Sequence, residues 1–160
     1  MNQSIAAFAD LYRLGTKMFE MTLDGFDDAR QHERPGADAN SVNWIAGHMT
    51  TSRFGVAAAL GLEDKCPWGD LYNVGIEADN PSKYPSLEEI KAAWKDISGK
   101  ILRGLEEVSE EQLAGKPAWE PPEVEQSNRG VVAVLSLHEN YHMGQLGYLR
   151  KLHGLDRAFG

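Results

Sequence analysis

Three histidines carry the clearest chemical signal in the sequence: His48, and the pair His138 and His142. The members of the pair are four positions apart, so on an α-helix their imidazoles share one face, about 6 Å apart along the axis. Both rings can then ligate one cation, because divalent metals bind neutral imidazole nitrogens at about 2.0–2.1 Å. With a third histidine from another helix, this set predicts a metal site with open coordination positions, which is typical of catalytic metals.

The same segment offers a sharper alternative, because the stretch from His138 to His142 satisfies the zinc-protease pattern H-E-x-x-H. A metzincin continuation would place glycine at position 145 and histidine at position 148, whereas this chain has Gln145 and Tyr148. No strand that could bind an extended peptide is predicted before the motif. A buried core histidine is the plainer alternative, but burying two imidazoles without partners costs about 1–3 kcal/mol each. We therefore favour a metal site over buried core histidines, and we do not expect the protein to be a zinc protease.

Two residues near the pair are candidate catalytic groups, Gln145 and Glu139. Gln145 lies on the face of the predicted ligands and could hydrogen-bond a water on the metal, with a core amide or a dimer contact as alternatives. Glu139 could act as a base or support a ligand, although a solvated helix residue is the plainer interpretation. Cys66 could be a nucleophile or a fourth ligand, but a small apolar residue in a loop is favoured.

Two of the four tryptophans lie in predicted helices and two lie in predicted loops. Trp44 and Trp94 lie on helical stripes and are expected in the core, although Trp44 could also wall a pocket. Trp68 and Trp119 lie in predicted loops, so they are the better candidates for covering a site.

Four amphipathic segments must position these residues, because apolar side chains recur at helical spacing in each of them. Their ends are marked by serine or asparagine caps and by glycine or proline after the last turn. The predicted helices run from Ser4 to about Arg30, from a cap at Asn40 or Ser41 to Leu60, from Ser86 to near Ser109, and from near Ser127 to Leu152. No strand is predicted.

Long loops follow the second and third helices. Residues 62–85 are predicted to form a loop of the length often found in lids and binding loops. Residues 109–127 are predicted to be irregular, apart from a turn around Glu110–Leu113. Together the segments predict an all-α four-helix bundle in which residues 1–160 form one domain. Metal sites in such bundles are built from inward side chains of facing helices.

Composition and charge narrow the class of protein further. Hydrophobic residues make up 42% of the chain, which is typical of a globular protein and argues against disorder. The formal net charge of −8 gives no electrostatic basis for binding nucleic acid or an anionic membrane. One cysteine, no basic leader and no apolar stretch of membrane-spanning length lead us to expect a soluble cytoplasmic protein.

The chain resembles the DinB/YfiT-like superfamily in three segments: NWIAGHM at 43–49, HENYHMGQL at 138–146 and YLR at 148–150. The most specific part is the pattern H-x-x-x-H-x-x-Q, combined with one histidine near the start of the second helix. Members of this family are four-helix bundles with a three-histidine divalent metal site. The resemblance therefore implies that His48, His138 and His142 are the metal ligands.

The resemblance also implies a range of activities. Some members look like thiol S-transferases that use bacillithiol or mycothiol, and one branch is a mycothiol-dependent maleylpyruvate isomerase. For this chain we expect a metal-dependent transferase or hydrolase acting on a small electrophilic substrate. Zinc and nickel are the favoured metals, with iron, manganese and cobalt as alternatives, and a low-molecular-weight thiol is a candidate cosubstrate. The alternative is a non-catalytic metal-binding or stress-response bundle.

A homodimer is predicted from aromatic residues that lie outside a single core stripe, namely Tyr12, Phe19 and Phe54. The family resemblance points the same way, because relatives are often dimers. The alternative is that these rings complete the core of a monomer. Beyond a second copy, the expected partner is a small-molecule substrate.

Overall fold

A computed structural model describes residues 2–73 and 80–159, and every regular element in these ranges is helical. The first long helix, α1, spans Ala6–Leu23 and the second, α2, spans Val42–Ala59. Helix α3 spans Leu87–Glu107, the short α4 spans Glu110–Ala114, and α5 spans Asn128–Leu152. Single turns of 3₁₀ helix lie at Gln3–Ile5, Arg30–His32 and Pro81–Lys83. The predicted all-α fold is confirmed.

Serine caps start the helices that carry the candidate site. The Ser41 hydroxyl accepts from the backbone N–H of Trp44 at 3.2 Å and begins α2. The Ser127 hydroxyl accepts from Gly130 N–H at 3.2 Å and begins α5. Ser86 begins α3 with a complete capping box. Each such cap satisfies a backbone donor that the helix cannot, and contributes about 1 kcal/mol.

Two predicted boundaries are wrong. The first helix was expected to reach about Arg30 but ends at Leu23, because Gly25 adopts a left-handed φ of 81° and turns the chain. Phe26 then packs against the core instead of extending the helical stripe. The predicted turn at Glu110–Leu113 is instead the helix α4, which the Ser109 hydroxyl caps.

The four long helices form a bundle in which α1 and α2 each pack against both α3 and α5. Helices α2 and α5, which carry the three histidines, are therefore neighbours along the bundle. Among the described residues, buried apolar side chains form two clusters, one at each end of the bundle. The cluster near the histidines includes Trp44 and Trp94, as expected for core residues.

A layer of buried polar side chains lies between the two apolar clusters. The Arg53 guanidinium forms an ion pair with the Glu139 carboxylate at 2.7 Å and also donates to the hydroxyls of Thr16 and Ser98. Its planar group stacks on the Trp94 ring, with Cζ 3.6 Å from the ring centroid. Arg53 on α2 thus contacts all three of the other long helices.

The aromatic residues used to predict a dimer interface are largely internal. Tyr12 and Phe19 are 1% and 0% exposed, and Phe54 is partly buried against the second apolar cluster. These rings complete the core of the monomer, so the stated basis for that interface is wrong. Exposed apolar side chains lie elsewhere, on the outer faces of α1 and α5.

The described part of the loop after α2 is held close to the bundle. Tyr72 is completely buried in the core near the histidines, and Lys100 of α3 pairs with Asp64 at 2.6 Å. Positions 74–79 of the predicted long loop lie outside the described residues. None of the described helices is long and apolar enough to cross a membrane.

Candidate metal centre

The three histidines identified from the sequence come together between α2 and α5. The Nε2 atom of His138 lies 3.0 Å from the Nε2 atom of His48 and 3.0 Å from that of His142. All three rings are half-buried, and they meet edge to face. This convergence follows from the four-residue spacing on α5 and from the packing of α5 against α2.

His48 is held by its other ring nitrogen. Its Nδ1 lies 2.6 Å from the backbone carbonyl oxygen of Tyr72, which can only accept a hydrogen bond. Nδ1 must therefore carry the proton, which leaves a lone pair on Nε2. The Trp44 ring stacks on the imidazole, with centroids 4.8 Å apart and planes inclined by 16°, and fixes its orientation.

His142 is held in a similar way by a side chain of its own helix. Its Nδ1 lies 2.6 Å from the amide oxygen of Gln145, one turn further along α5. The Gln145 amide nitrogen in turn donates to the Tyr141 hydroxyl at 3.2 Å, which fixes the orientation of the amide. His142 therefore also presents the lone pair of Nε2. The amide oxygen that could have faced a water on the metal instead positions a predicted ligand.

Burial lowers the pKa of all three imidazoles. For His138 it lowers the pKa from 6.5 to about 4, with further lowering from His142 and His48. For His48 and His142 burial lowers the pKa against the opposing effects of the Tyr72 carbonyl and of Gln145, respectively. The rings are therefore neutral at pH 7, which is the state that binds a metal.

The donor set fits a divalent metal ion. Three imidazole nitrogens suit zinc, nickel, copper and iron, and a group of converging lone pairs favours a cation between them. The Nδ1 atom of His138 is buried and, among the described residues, has no hydrogen-bond partner. In the same part of the chain, no cysteine or carboxylate joins the group of potential ligands. The group could hold a metal ion with its remaining coordination positions open.

Glu139 is not the solvated residue expected from the sequence. It is 6% exposed, and both carboxylate oxygens bind Arg53, at 2.9 and 2.7 Å. Its neighbour His138 faces α2 at the histidine cluster, whereas Glu139 enters the polar layer of the bundle. The structure thus gives Glu139 a partner other than the histidines, and provides no support for it as a base at the cluster.

Of the loop residues considered as site components, Cys66 and Trp68 lie as expected and Trp119 does not. The thiol of Cys66 is half-buried, 3.5 Å from the Thr51 hydroxyl, and is not part of the histidine group. Trp68 lies near the cluster, where its ring meets Tyr72 edge to face at 5.6 Å. Trp119 lines a small cavity at the other end of the bundle, so its predicted role in covering the site is wrong.

The sequence analysis missed two contributors to the site, Tyr72 and Gly47. The Tyr72 contribution is a backbone carbonyl, which no residue type can reveal. Gly47 leaves space for the Tyr72 ring, because a Cβ atom at position 47 would lie 2.1 Å from that ring. The available signal was a glycine inside an otherwise regular helix, next to His48, since glycine in a helix interior costs about 1 kcal/mol relative to alanine.

A helical bundle whose facing helices present three converging imidazoles belongs to a recurrent class of helical proteins with a potential metal site in the bundle. The chain belongs to the DinB superfamily, whose sequence model matches residues 11–146. No curated protein matches the chain.

Solved structures show the same fold. A DinB-like protein from Bacillus cereus superposes with a TM-score of 0.71 at 20% identity, covering 98% of this chain and 97% of that one. A DinB-like protein from Bacillus subtilis gives a TM-score of 0.61 at 18% identity, covering 99% of this chain and 97% of that one. At this level of identity, the comparison establishes the architecture.

Proposed function

We propose that this protein binds a divalent metal through His48, His138 and His142 and is a metal-dependent enzyme acting on small electrophilic substrates. The observation that carries the proposal is the convergence of three neutral imidazoles. Hydrogen bonds to Nδ1 hold two of these rings so that the lone pair of Nε2 is available to a metal. A structural metal site would be closed by a fourth protein ligand, whereas this group is limited to three among the described residues. Open positions favour catalysis.

The residues of the chain have distinct parts in this proposal. The three histidines bind the metal, while the Tyr72 carbonyl and the Gln145 amide hold two of the rings in place. Such supporting hydrogen bonds typically change metal affinity or activity by about 10- to 100-fold. When bound, the metal would supply Lewis acidity, lowering the pKa of water or a thiol toward neutrality or polarising an electrophile. No protein nucleophile is then required.

Two reaction classes suit this site, thiol S-transfer and hydrolysis. In the first, the sulfur of a low-molecular-weight thiol bonds to an electrophilic carbon while the leaving group departs with its electron pair. In the second, water takes the place of the thiol. Zinc and nickel are the metals we favour, since imidazole suits both, and iron, manganese and cobalt remain candidates.

Metal binding is tested with the His142→Ala variant. We expect the purified parent protein to bind about one divalent ion per chain and the variant to lose high-affinity binding, because two imidazoles remain. Circular dichroism should show the variant and the metal-free parent to be helical, since the bundle buries its own apolar stripes. His32→Ala is the matched control and should bind metal normally, because His32 lies outside the histidine group. Parent-like metal affinity in His142→Ala would refute the ligand assignment.

Catalysis is tested separately, by screening the metal-loaded protein against small electrophiles with and without a thiol. Turnover that needs both metal and thiol would support S-transfer, and turnover that needs metal alone would support hydrolysis. Tight metal binding without any turnover would favour the non-catalytic alternative. In each case the His142→Ala protein provides the background rate.

A further inference from the structure

An open cleft runs along the bundle beside the histidine group, between the start of α2 and the C-terminal half of α5. Its volume is about 550 Å³, which is within the range of small-molecule sites. Part of one wall comes from the connection between α1 and α2. The lining residues that matter here are Asp38, Ile45, Tyr141, Gly144, Gln145 and Tyr148.

The cleft adjoins the proposed metal centre through residues that belong to both. Gln145 lines the cleft, and its amide oxygen holds His142. Tyr141 also lines the cleft, and its ring meets the His142 ring edge to face at 5.1 Å. On the opposite wall, Ile45 lies one turn before His48 on α2. A molecule in the cleft would therefore lie beside the histidines.

The walls of the cleft have a distinctive chemistry. Tyr141 and Tyr148 are each 63% exposed, so their aromatic rings are available to a ligand. Asp38 is the single charged residue among the described lining residues, and no lysine, arginine or histidine accompanies it there. Aromatic rings near a carboxylate attract organic cations, whereas an anionic ligand would meet Asp38 without a compensating positive charge.

Gly144 keeps the cleft open. A Cβ atom built at this position meets no atom within 4 Å, so a larger side chain would extend into the empty space of the cleft. Gly147 on the same helix also has open space around a built Cβ, but does not line the cleft. The chain thus contains a blocking position and a matched control three residues apart on one helix.

We propose that this cleft is the substrate-binding site and that it selects small molecules carrying a positively charged group on an aromatic or apolar body. The cationic group lies at Asp38, the body lies against Tyr141 and Tyr148, and the reacting end lies on the Gln145 side. The assignment of the occupant as substrate rests on the proposed function. Recognition of the cation itself does not depend on a metal.

The test compares benzylamine, benzyl alcohol and benzoate, which share one ring and differ in charge. Binding is followed by NMR chemical-shift titration of the protein as purified and again after loading with zinc. We expect benzylamine to bind most tightly and benzoate least. Asp38→Asn should lower the preference for benzylamine over benzyl alcohol by up to about fivefold, as expected for an exposed ion pair. Shift changes should centre on residues of the cleft.

Two variants establish where the ligand binds. Gly144→Leu should abolish benzylamine binding, whereas Gly147→Leu should leave it unchanged, and circular dichroism checks that both variants remain helical. Equal binding of benzoate and benzylamine, or parent-like binding of benzylamine by Gly144→Leu, would overturn the inference. Zinc binding measured in parallel separates the two proposals. If the protein binds benzylamine but takes up no zinc, the cation site is supported and the metal centre is refuted. If it binds zinc but shows no preference for benzylamine, the metal centre is supported and the cation site is refuted.

Discussion

At the scale of single residues, the candidate site depends on which nitrogen of each imidazole carries the proton. The Tyr72 carbonyl and the Gln145 amide oxygen each accept a hydrogen bond from an Nδ1–H group, which keeps the proton on Nδ1 and leaves the lone pair on Nε2 directed inward. Bringing such lone pairs together costs energy unless a cation lies between them. Protonation of the metal-free cluster should therefore affect the stability of the folded protein.

The pH dependence of stability in the metal-free protein follows from these shifts. Burial lowers the pKa of His138 to about 4, from an ordinary value of 6.5. Between these values the unfolded chain binds more protons than the folded protein, so the free energy of unfolding rises with pH. We expect the free energy of unfolding to keep its full value above about pH 6.5, where His138 is neutral in both states, and to decline as the pH falls toward 4. Urea unfolding with a chelator present, at several pH values, measures it.

His138→Gln is the matched variant for this experiment, because it replaces the titrating ring with an uncharged amide. Its free energy of unfolding should vary less with pH between 4 and 6.5 than that of the parent. An identical slope in the two proteins would show that His138 does not titrate with a lowered pKa.

Residue spacing identified His138 and His142, and His48 was identified from its place on the apolar face of the second helix and from the family resemblance, but none of these signals revealed the groups that hold the rings. His138 and His142 share a helical face in any regular helix, so their proximity is visible in the sequence. Glu139, next to His138 in the chain, lies about 100° further around the helix, and its partner Arg53 is 86 positions away in the chain. Its spacing from Met143 and Leu146 places it on the buried stripe of α5, whereas its partner follows from helix packing, which local pattern does not encode.

At the scale of elements, α2 is shaped around the loop that follows it. Gly47 leaves space for the Tyr72 ring, whose hydroxyl also donates to the Asn43 side chain at 3.0 Å. The ring thus anchors the loop against the first turns of α2, and the backbone carbonyl of Tyr72 reaches His48.

Helix boundaries set by serine caps were predictable because a cap is local. The early end of α1 was also marked locally, by Gly25, but Phe26 continues the apolar helical spacing beyond it and led the prediction past the true end.

Gly47→Ala should therefore weaken the metal site without removing a ligand. The added methyl would lie within 2.1 Å of the Tyr72 ring, so the ring must move and the carbonyl must move with it. We expect metal affinity to fall by about 10- to 100-fold, as for other losses of a supporting hydrogen bond. Isothermal titration with zinc measures the change.

The control is Gly99→Ala on α3, where the nearest atom to a built Cβ is the end of the Arg103 side chain at 3.7 Å. This substitution should leave metal affinity unchanged and stabilise the helix by up to about 1 kcal/mol. If Gly47→Ala binds zinc as tightly as Gly99→Ala, the Tyr72 carbonyl does not support the site.

At the scale of the whole molecule, a homodimer remains a prediction, now with a different interface. The rings of Tyr12 and Phe19 are buried, but α5 exposes Leu137 and Leu152 by 71% and 52%, and α1 exposes Leu14 by 58%. Since these helices are neighbours, their apolar side chains could form an isologous contact. We expect light scattering at micromolar concentration to give the mass of two chains, and the mass of a single chain would defeat the prediction.

The polar layer that crosses the bundle sets the relative positions of its four long helices. Arg53 is 1% exposed and bonds to Glu139 of α5, Ser98 of α3, and Thr16 of α1. Gly15 is part of the same arrangement, because a Cβ atom there would lie 2.0 Å from the Glu139 carboxylate. A polar layer of this kind favours one alignment of helices, since sliding α2 against α5 would separate the buried ion pair, and sliding α1 or α3 would break a hydrogen bond to Arg53.

Arg53→Met tests the energetic consequence of this layer. The substitution leaves the Glu139 carboxylate buried without its cation, so we expect a loss of about 3–5 kcal/mol in the free energy of unfolding. The double variant Arg53→Met/Glu139→Leu removes both charges and should recover much of that loss, because well-packed apolar residues often replace a buried ion pair at no cost. Urea unfolding of the single and double variants in the presence of chelator measures both effects without a contribution from metal. If the double variant is less stable than Arg53→Met, the layer is held by its neutral hydrogen bonds, and the ion pair is not its main element.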